Sequence, residues 1–314
     1  MDKVLQRLLD GDVISNQEHY DLREYLKPVF FRQGFMDWHR AKSRDAAKER
    51  LGKESLRLLD QNELSCDELV VTYSSLANTH NQGTLQKALF SVLDSFPNWP
   101  ASGVEGDLRV SISQLQAALT CQDPKRLANA ALLVASYAEQ SNTQARKSQA
   151  GVAGEYAVEL VLMHAGLERG STYGAQFIHQ GSNTDFIVPY AESGSVTDVR
   201  AYIAVQMSSN DRTRLSSSEL HTGGVRFFCS LNGCTAASKN TNDIGDDLIA
   251  GAFQTETYYV VVQKELDRAI AHAEKRLKKL KGRAGATNAQ FRLRWLTERG
   301  INYDQFADRL LELV

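Results

Sequence analysis

Asp185 opens the run Phe186-Ile187-Val188 directly after the turn-forming Gly181-Ser182-Asn183-Thr184. A second apolar run, Tyr202-Ile203-Ala204-Val205, ends in Gln206 and is followed by Asn210, Asp211, Arg212 and Arg214, with Glu219 standing 13 positions after Gln206. An ionised side chain at a strand mouth stays at a sheet edge. Carboxylates held in one cleft by fixed elements supply the oxygen donors that divalent-metal hydrolysis of a phosphodiester needs. Gln206 can orient a water through hydrogen bonds but brings no charge. Asp211-Arg212 sets a carboxylate acceptor beside a bidentate donor.

Each of these residues also has a plainer use. An aspartate beginning a strand is ordinarily a turn residue, and Asp211 with Arg212 can be a capping acid beside a surface base. Glu219 follows Ser216-Ser217-Ser218, a helix start at which an acid favours the helix dipole. Glu155, on a helix with Glu159, can be a solvated acid. Their order and spacing together, rather than any one of them, carry the chemical reading.

Over residues 140 to 225 that order resembles a branch of the type II restriction endonucleases of the PD-(D/E)XK superfamily, which read sites built on CC and GG. The branch pattern is Pro-Asp, then a strand ending small-x-Lys, then twelve residues and Glu. Its second acid has moved from the strand to the following helix, so that Ala204 stands where other superfamily members carry an acid. The segment 144 to 151, Gln-Ala-Arg-Lys-Ser-Gln-Ala-Gly, followed by Glu155, is similar to the helix that precedes the active site in these enzymes. The resemblance implies Mg²⁺ held by Asp185 and Glu219, Gln206 at the water-orienting position, and Glu155 supporting the metal through its water shell. It implies base recognition by Asn210, Asp211, Arg212 and Arg214. Thr184 replaces the usual proline, Asn210 replaces an arginine, and Gln206 replaces the lysine; another branch of these enzymes uses glutamine there. The implied function is cleavage of double-stranded DNA by a homodimer whose symmetry matches that of its site, with a DNA methyltransferase protecting host sites. The rival reading keeps the fold and DNA binding but has lost catalysis, and Gln206 is the feature that favours it.

The elements that must position these residues follow a helix, mixed sheet, helix order, predicting an α/β layered fold with a restriction-endonuclease-like core and a helical N-terminal region. Residues 1 to about 95 have helical periodicity, with Val4, Leu5, Leu8 and Leu9 the first example. Pro97 and Pro100, followed by Gly103 and Gly106, predict a boundary that divides a helical region, 1–100, from a catalytic domain, 101–314. A helix is expected from about Pro124 to Gln140 and a second, capped at Ser141-Asn142-Thr143, to about His164. Strands are expected at 176–179, 185–188, 202–207, 225–230 and 257–263, then a helix over 265–280 and another near the C-terminus.

With 36 Lys+Arg against 38 Asp+Glu, the chain is not one that coats nucleic acid by bulk charge, so any DNA affinity must be local. Lys275, Arg276, Lys278, Lys279, Lys281 and Arg283 form the one dense basic run; it reads as a solvated helix face or as phosphate contacts. Cys66, Cys121, Cys229 and Cys234 lack zinc-site spacing and read as reduced thiols, and His39, His164, His179, His221 and His272 show no metal-ligand spacing. No run is apolar enough to span a bilayer and the N-terminus lacks a secretory core, so a cytoplasmic protein without a membrane partner is expected.

Overall fold

The computed structural model describes residues 1–31, 34–59, 64–82, 84–104, 106–179, 182–191, 199–206, 224–234, 249, 252, 255–280, 282–283 and 285–314. Within these, the side chains of 40–48, 51, 59, 78–82, 84–88, 141–149, 177–179, 182–183 and 206 are outside the description. The chain forms two compact units, one of residues 1–50 with 79–149 and one of 51–78 with 150–314.

The first unit is helical. Its helices are α1 (Asp2–Asp10), α2 (Asn16–Phe30), the first part of α3 (Phe35–Leu59), α5 (Thr84–Ser95), α6 (Asp107–Thr120) and the first part of α7 (Pro124–His164). Leu5 and Leu9, one turn apart, bury the inner face of α1, and Gly11 ends the helix at φ 82, a conformation that glycine adopts without strain. Ser15 and Glu18 form a reciprocal capping box at the start of α2, a device that stabilises by about 1 kcal/mol. The core is aromatic: Phe30 stacks on Tyr137 with centroids 4.1 Å apart and on Phe96 at 5.4 Å, and Phe35 meets Phe96 edge-on.

Contacts do not divide the chain near residue 100. Phe96–Asn98 form a 3-10 turn, and Phe96 and Trp99 are buried in the same core as Phe30. The prolines therefore turn the chain inside one unit instead of separating two. The cap expected at Ser141-Asn142-Thr143 is also absent, because α7 runs unbroken from Pro124 to His164. In a continuing helix the amides there bond to carbonyls one turn back, which leaves a cap nothing to satisfy.

The second unit is the mixed sheet with helices on both faces that the order of elements predicts. Among the described residues its strands are β1 (Gly174–His179), β2 (Ser182–Val188), β3 (Ala201–Gln206), β4 (Val225–Ser230), β5 (Thr257–Val260) and β6 (Gly300–Ile301), in that spatial order. β1, β2 and β3 are antiparallel, and β3 through β6 are parallel. Strand alternation sorts the faces. Phe186, Ile203, Phe227 and Cys229 pack with α4 (Cys66–Gln82), the end of α7, and α10 (Tyr303–Leu311). Phe228 and Tyr259 point the other way, toward α8 (Gln263–Leu280) and α9 (Ala286–Arg299).

Three helix starts are tied together at the carboxyl end of β5. Asp67 accepts from the amides of Gln263 at 2.7 Å and Tyr303 at 2.9 Å, the first residues of α8 and α10. Asp304 returns the favour to α4 by accepting from the Cys66 amide at 2.7 Å. Burial raises the Asp67 carboxyl above the usual aspartate range, and the two amides pull against that rise.

Candidate active site

The β2–β3 ladder runs from Val188↔Ala201 to Phe186↔Ile203. At its end Asp185 Oδ2 accepts from the amide of Val205 at 2.7 Å, so a side chain supplies the acceptor where the strands part. Val205 pairs with Cys229 and Gln206 with Ser230, so the carboxylate lies at the carboxyl ends of the parallel strands β3 and β4. Ligands of open α/β sheets commonly bind at this edge. Cys229 registers the nearby charge: burial pushes its thiol well up, and Asp185 pushes it further.

The register β1↔β2 holds Ala175↔Phe186 and Phe177↔Thr184, which sets Gln176 across from Asp185. Gln176 departs from regular strand geometry at φ 53. Its Nε2 donates at 2.9 Å to Glu155 Oε2 on α7. Glu155 is thus joined to the strand that faces Asp185, through a residue the sequence did not single out. A polar residue inside a strand gives no sign of a left-handed backbone, and the only available clue was its place opposite Asp185.

Glu159, one turn after Glu155, has a different use. It accepts from the Tyr173 hydroxyl at 2.9 Å and from Arg169 at 3.2 Å, at the side of a cavity of about 590 Å³ also lined by Tyr156, Leu160 and Met163. The cavity belongs to α7, the end of α3 and the loop before β1, not to the strand ends. Burial raises the Tyr173 hydroxyl, with Glu159 adding to the rise.

Gln206 is the last residue of β3. Asn210, Asp211, Arg212, Arg214 and Glu219 lie outside the described residues, as do His221 and Lys281. Among the described residues no group of three or more His, Cys, Asp or Glu side chains is placed to hold a metal. Cys66, Cys229 and Cys234 are buried and all four cysteines are free. No described helix is long and apolar enough to cross a membrane.

No known family profile matches the chain, and no curated protein matches its sequence. A solved structure, metal-depleted Ecl18kI in complex with uncleaved, modified DNA, is similar in fold at a TM-score of 0.40 and 14% identity, covering 85% of this chain and 83% of that one. A likeness of that size carries no residue-by-residue inference.

Proposed function

We propose that this chain is a Mg²⁺-dependent type II restriction endonuclease that cuts double-stranded DNA at a short site containing CC/GG. The observation that carries the reading is the bond from the Val205 amide to Asp185, which fixes a carboxylate beside the strand end that carries Gln206. The sequence pattern for metal-dependent phosphodiester cleavage requires that pair of neighbours.

The donor set suits Mg²⁺, a hard cation that takes one or two carboxylates and completes its shell with waters and phosphate oxygens. Asp185 and Glu219 would hold it, with Glu155 bonding to its waters. The bound ion would polarise the scissile phosphate and lower the pKa of a water. The protein's own residues do the rest: the Val205 amide fixes the Asp185 carboxylate plane, Gln176 holds Glu155, and Gln206 orients the attacking water. Asp211 and Arg212 read a C·G pair, and Asn210 and Arg214 complete the base contacts. A homodimer would cut both strands of a symmetric site, and a DNA methyltransferase would protect the same sites in the cytoplasm of the host.

Incubation of the purified protein with unmethylated plasmid and phage DNA, with Mg²⁺ or with EDTA, tests this. Discrete fragments that need Mg²⁺ are expected. Absence of both cutting and sequence-specific binding would overturn the reading. One observation favours a second reading, a binding protein that has lost catalysis: Gln206 stands where a lysine supplies charge. On that reading wild type binds a specific site without cutting it, and Gln206→Lys creates cutting.

A further inference from the structure

Between Lys275 and Arg283 the sequence has six cations and no acid. Without them the chain's 36 Lys+Arg would fall to 30 against 38 Asp+Glu, so the run brings an otherwise acidic molecule close to neutral. Lys275, Lys278, Lys279 and Arg283 are exposed, and no carboxylate is bonded to them among the described residues. The acids nearer the start of α8 are engaged there: Glu265 is buried and paired with Arg268 at 2.9 Å, and Asp267 accepts from Gln263. Only exposed Glu274 adjoins the run.

Cations at a helix C-terminus have a structural use, since each stabilises the dipole by about 0.3–1 kcal/mol within the last turn. This run begins before the last turn of α8 and continues past Leu280 to Arg283, so the dipole does not account for its extent. A rise of about 1.5 Å per residue puts Lys275 and Lys279 about 6 Å apart, and both about 18–24 Å along α8 from Gln263. Gln263 sits at the carboxyl end of β5, held by Asp67. The cations therefore lie far along the helix from the strand-end edge that carries Asp185.

We propose that Lys275, Lys278, Lys279 and Arg283 form a second contact for duplex DNA, which grips the phosphate backbone without reading sequence and is separate from the strand-end site. The choice of duplex as the polyanion rests on the nuclease reading; a duplex presents one negative charge per about 1.7 Å of its axis. A lipid surface suits the run less well, because Leu277 and Leu280 are partly buried and leave no large exposed apolar side chain to insert between the lysines.

The test measures binding of the full chain to a duplex of arbitrary sequence in EDTA across a salt series, by fluorescence anisotropy. The combined variant Lys275→Ala, Lys278→Ala, Lys279→Ala is compared with a control at exposed Lys3, Lys125 and Lys264. The slope of log affinity against log salt should shrink by about two to three in the first variant, at about 0.9 per phosphate contact, and stay unchanged in the control. An unchanged slope, an equal loss in the control, no duplex binding by wild type, or lysine-dependent binding to phosphatidylserine vesicles in its place overturns the proposal. A protein that never cuts but shows the slope change keeps this surface and loses the nuclease reading. One that cuts with the slope unchanged does the reverse.

Discussion

The amide of Val205 donates to the Asp185 carboxylate at 2.7 Å, at the point where the ladder between their strands ends. The bond orients an acid at the edge of the sheet and makes the position of that acid depend on β3, the strand that delivers Gln206.

Asp185→Asn should remove the charge proposed to hold the metal and keep the fold, because the asparagine oxygen can still accept from Val205. Cutting should fall by more than about a thousandfold, the loss of several kcal/mol of transition-state stabilisation. Duplex binding in EDTA should persist. A variant that cuts within tenfold of wild type would exclude Asp185 from the site.

Gln176→Gly separates positioning from stability. Glycine adopts φ 53 readily, so the thermal midpoint should hold or rise, while Glu155 loses its 2.9 Å bond. Partners that orient a metal's surroundings contribute about ten- to a hundredfold, and cleavage should fall by that much with a raised Mg²⁺ requirement. If cleavage and its Mg²⁺ dependence are both unchanged, the link between Gln176 and Glu155 is structural only.

Asp67→Ala should destabilise the second unit, because two helix-start amides lose their acceptor, at about 0.5–2 kcal/mol for a lost cap. The pH dependence has a defined sign. Burial raises the Asp67 carboxyl in the folded state, so folding favours its protonated form. That contribution is fully present below the unfolded value and is lost as pH rises through the folded value. Urea melts should therefore show wild type losing stability relative to Asp67→Asn as pH climbs from the usual aspartate value through the raised one. A difference between the two that is constant with pH would contradict this.

Native-state alkylation at pH 8 should label Cys121 first. Burial pushes the Cys66 and Cys234 thiols up to about 12 and Cys229 well up, so these three carry little thiolate and little access. Peptide mapping that found Cys66 or Cys234 modified ahead of Cys121 would show the core to be more open than this packing allows.

The sequence made the strand-rich half legible because alternation and turn residues are local signals. Asp185, at the junction of a turn and an apolar run, could be found that way. Gln176 could not, since its importance comes from its register opposite Asp185 and from a backbone angle that no local pattern announces. Pro97 and Pro100 suggested a boundary because prolines mark turns, yet nothing local tells a turn between units from one whose flanking Phe96 and Trp99 are buried in a shared core. The last expected strand ran to residue 263 but stops at Val260, because α8 starts at Gln263 with its cap supplied by Asp67, 196 residues earlier. β6, with two residues, is too short to show any period.

That remote cap has a consequence for synthesis. While the chain is being made, Asp67 leaves the ribosome with neither of its amides, and Cys66 waits for Asp304, 238 residues later, to emerge. The start of α4 has its own reciprocal bonds between Ser65 and Glu68, but its link to the starts of α8 and α10 forms only once α10 has emerged. A nascent chain truncated before residue 303 should remain open to protease around residues 64–70, and a full-length one should resist.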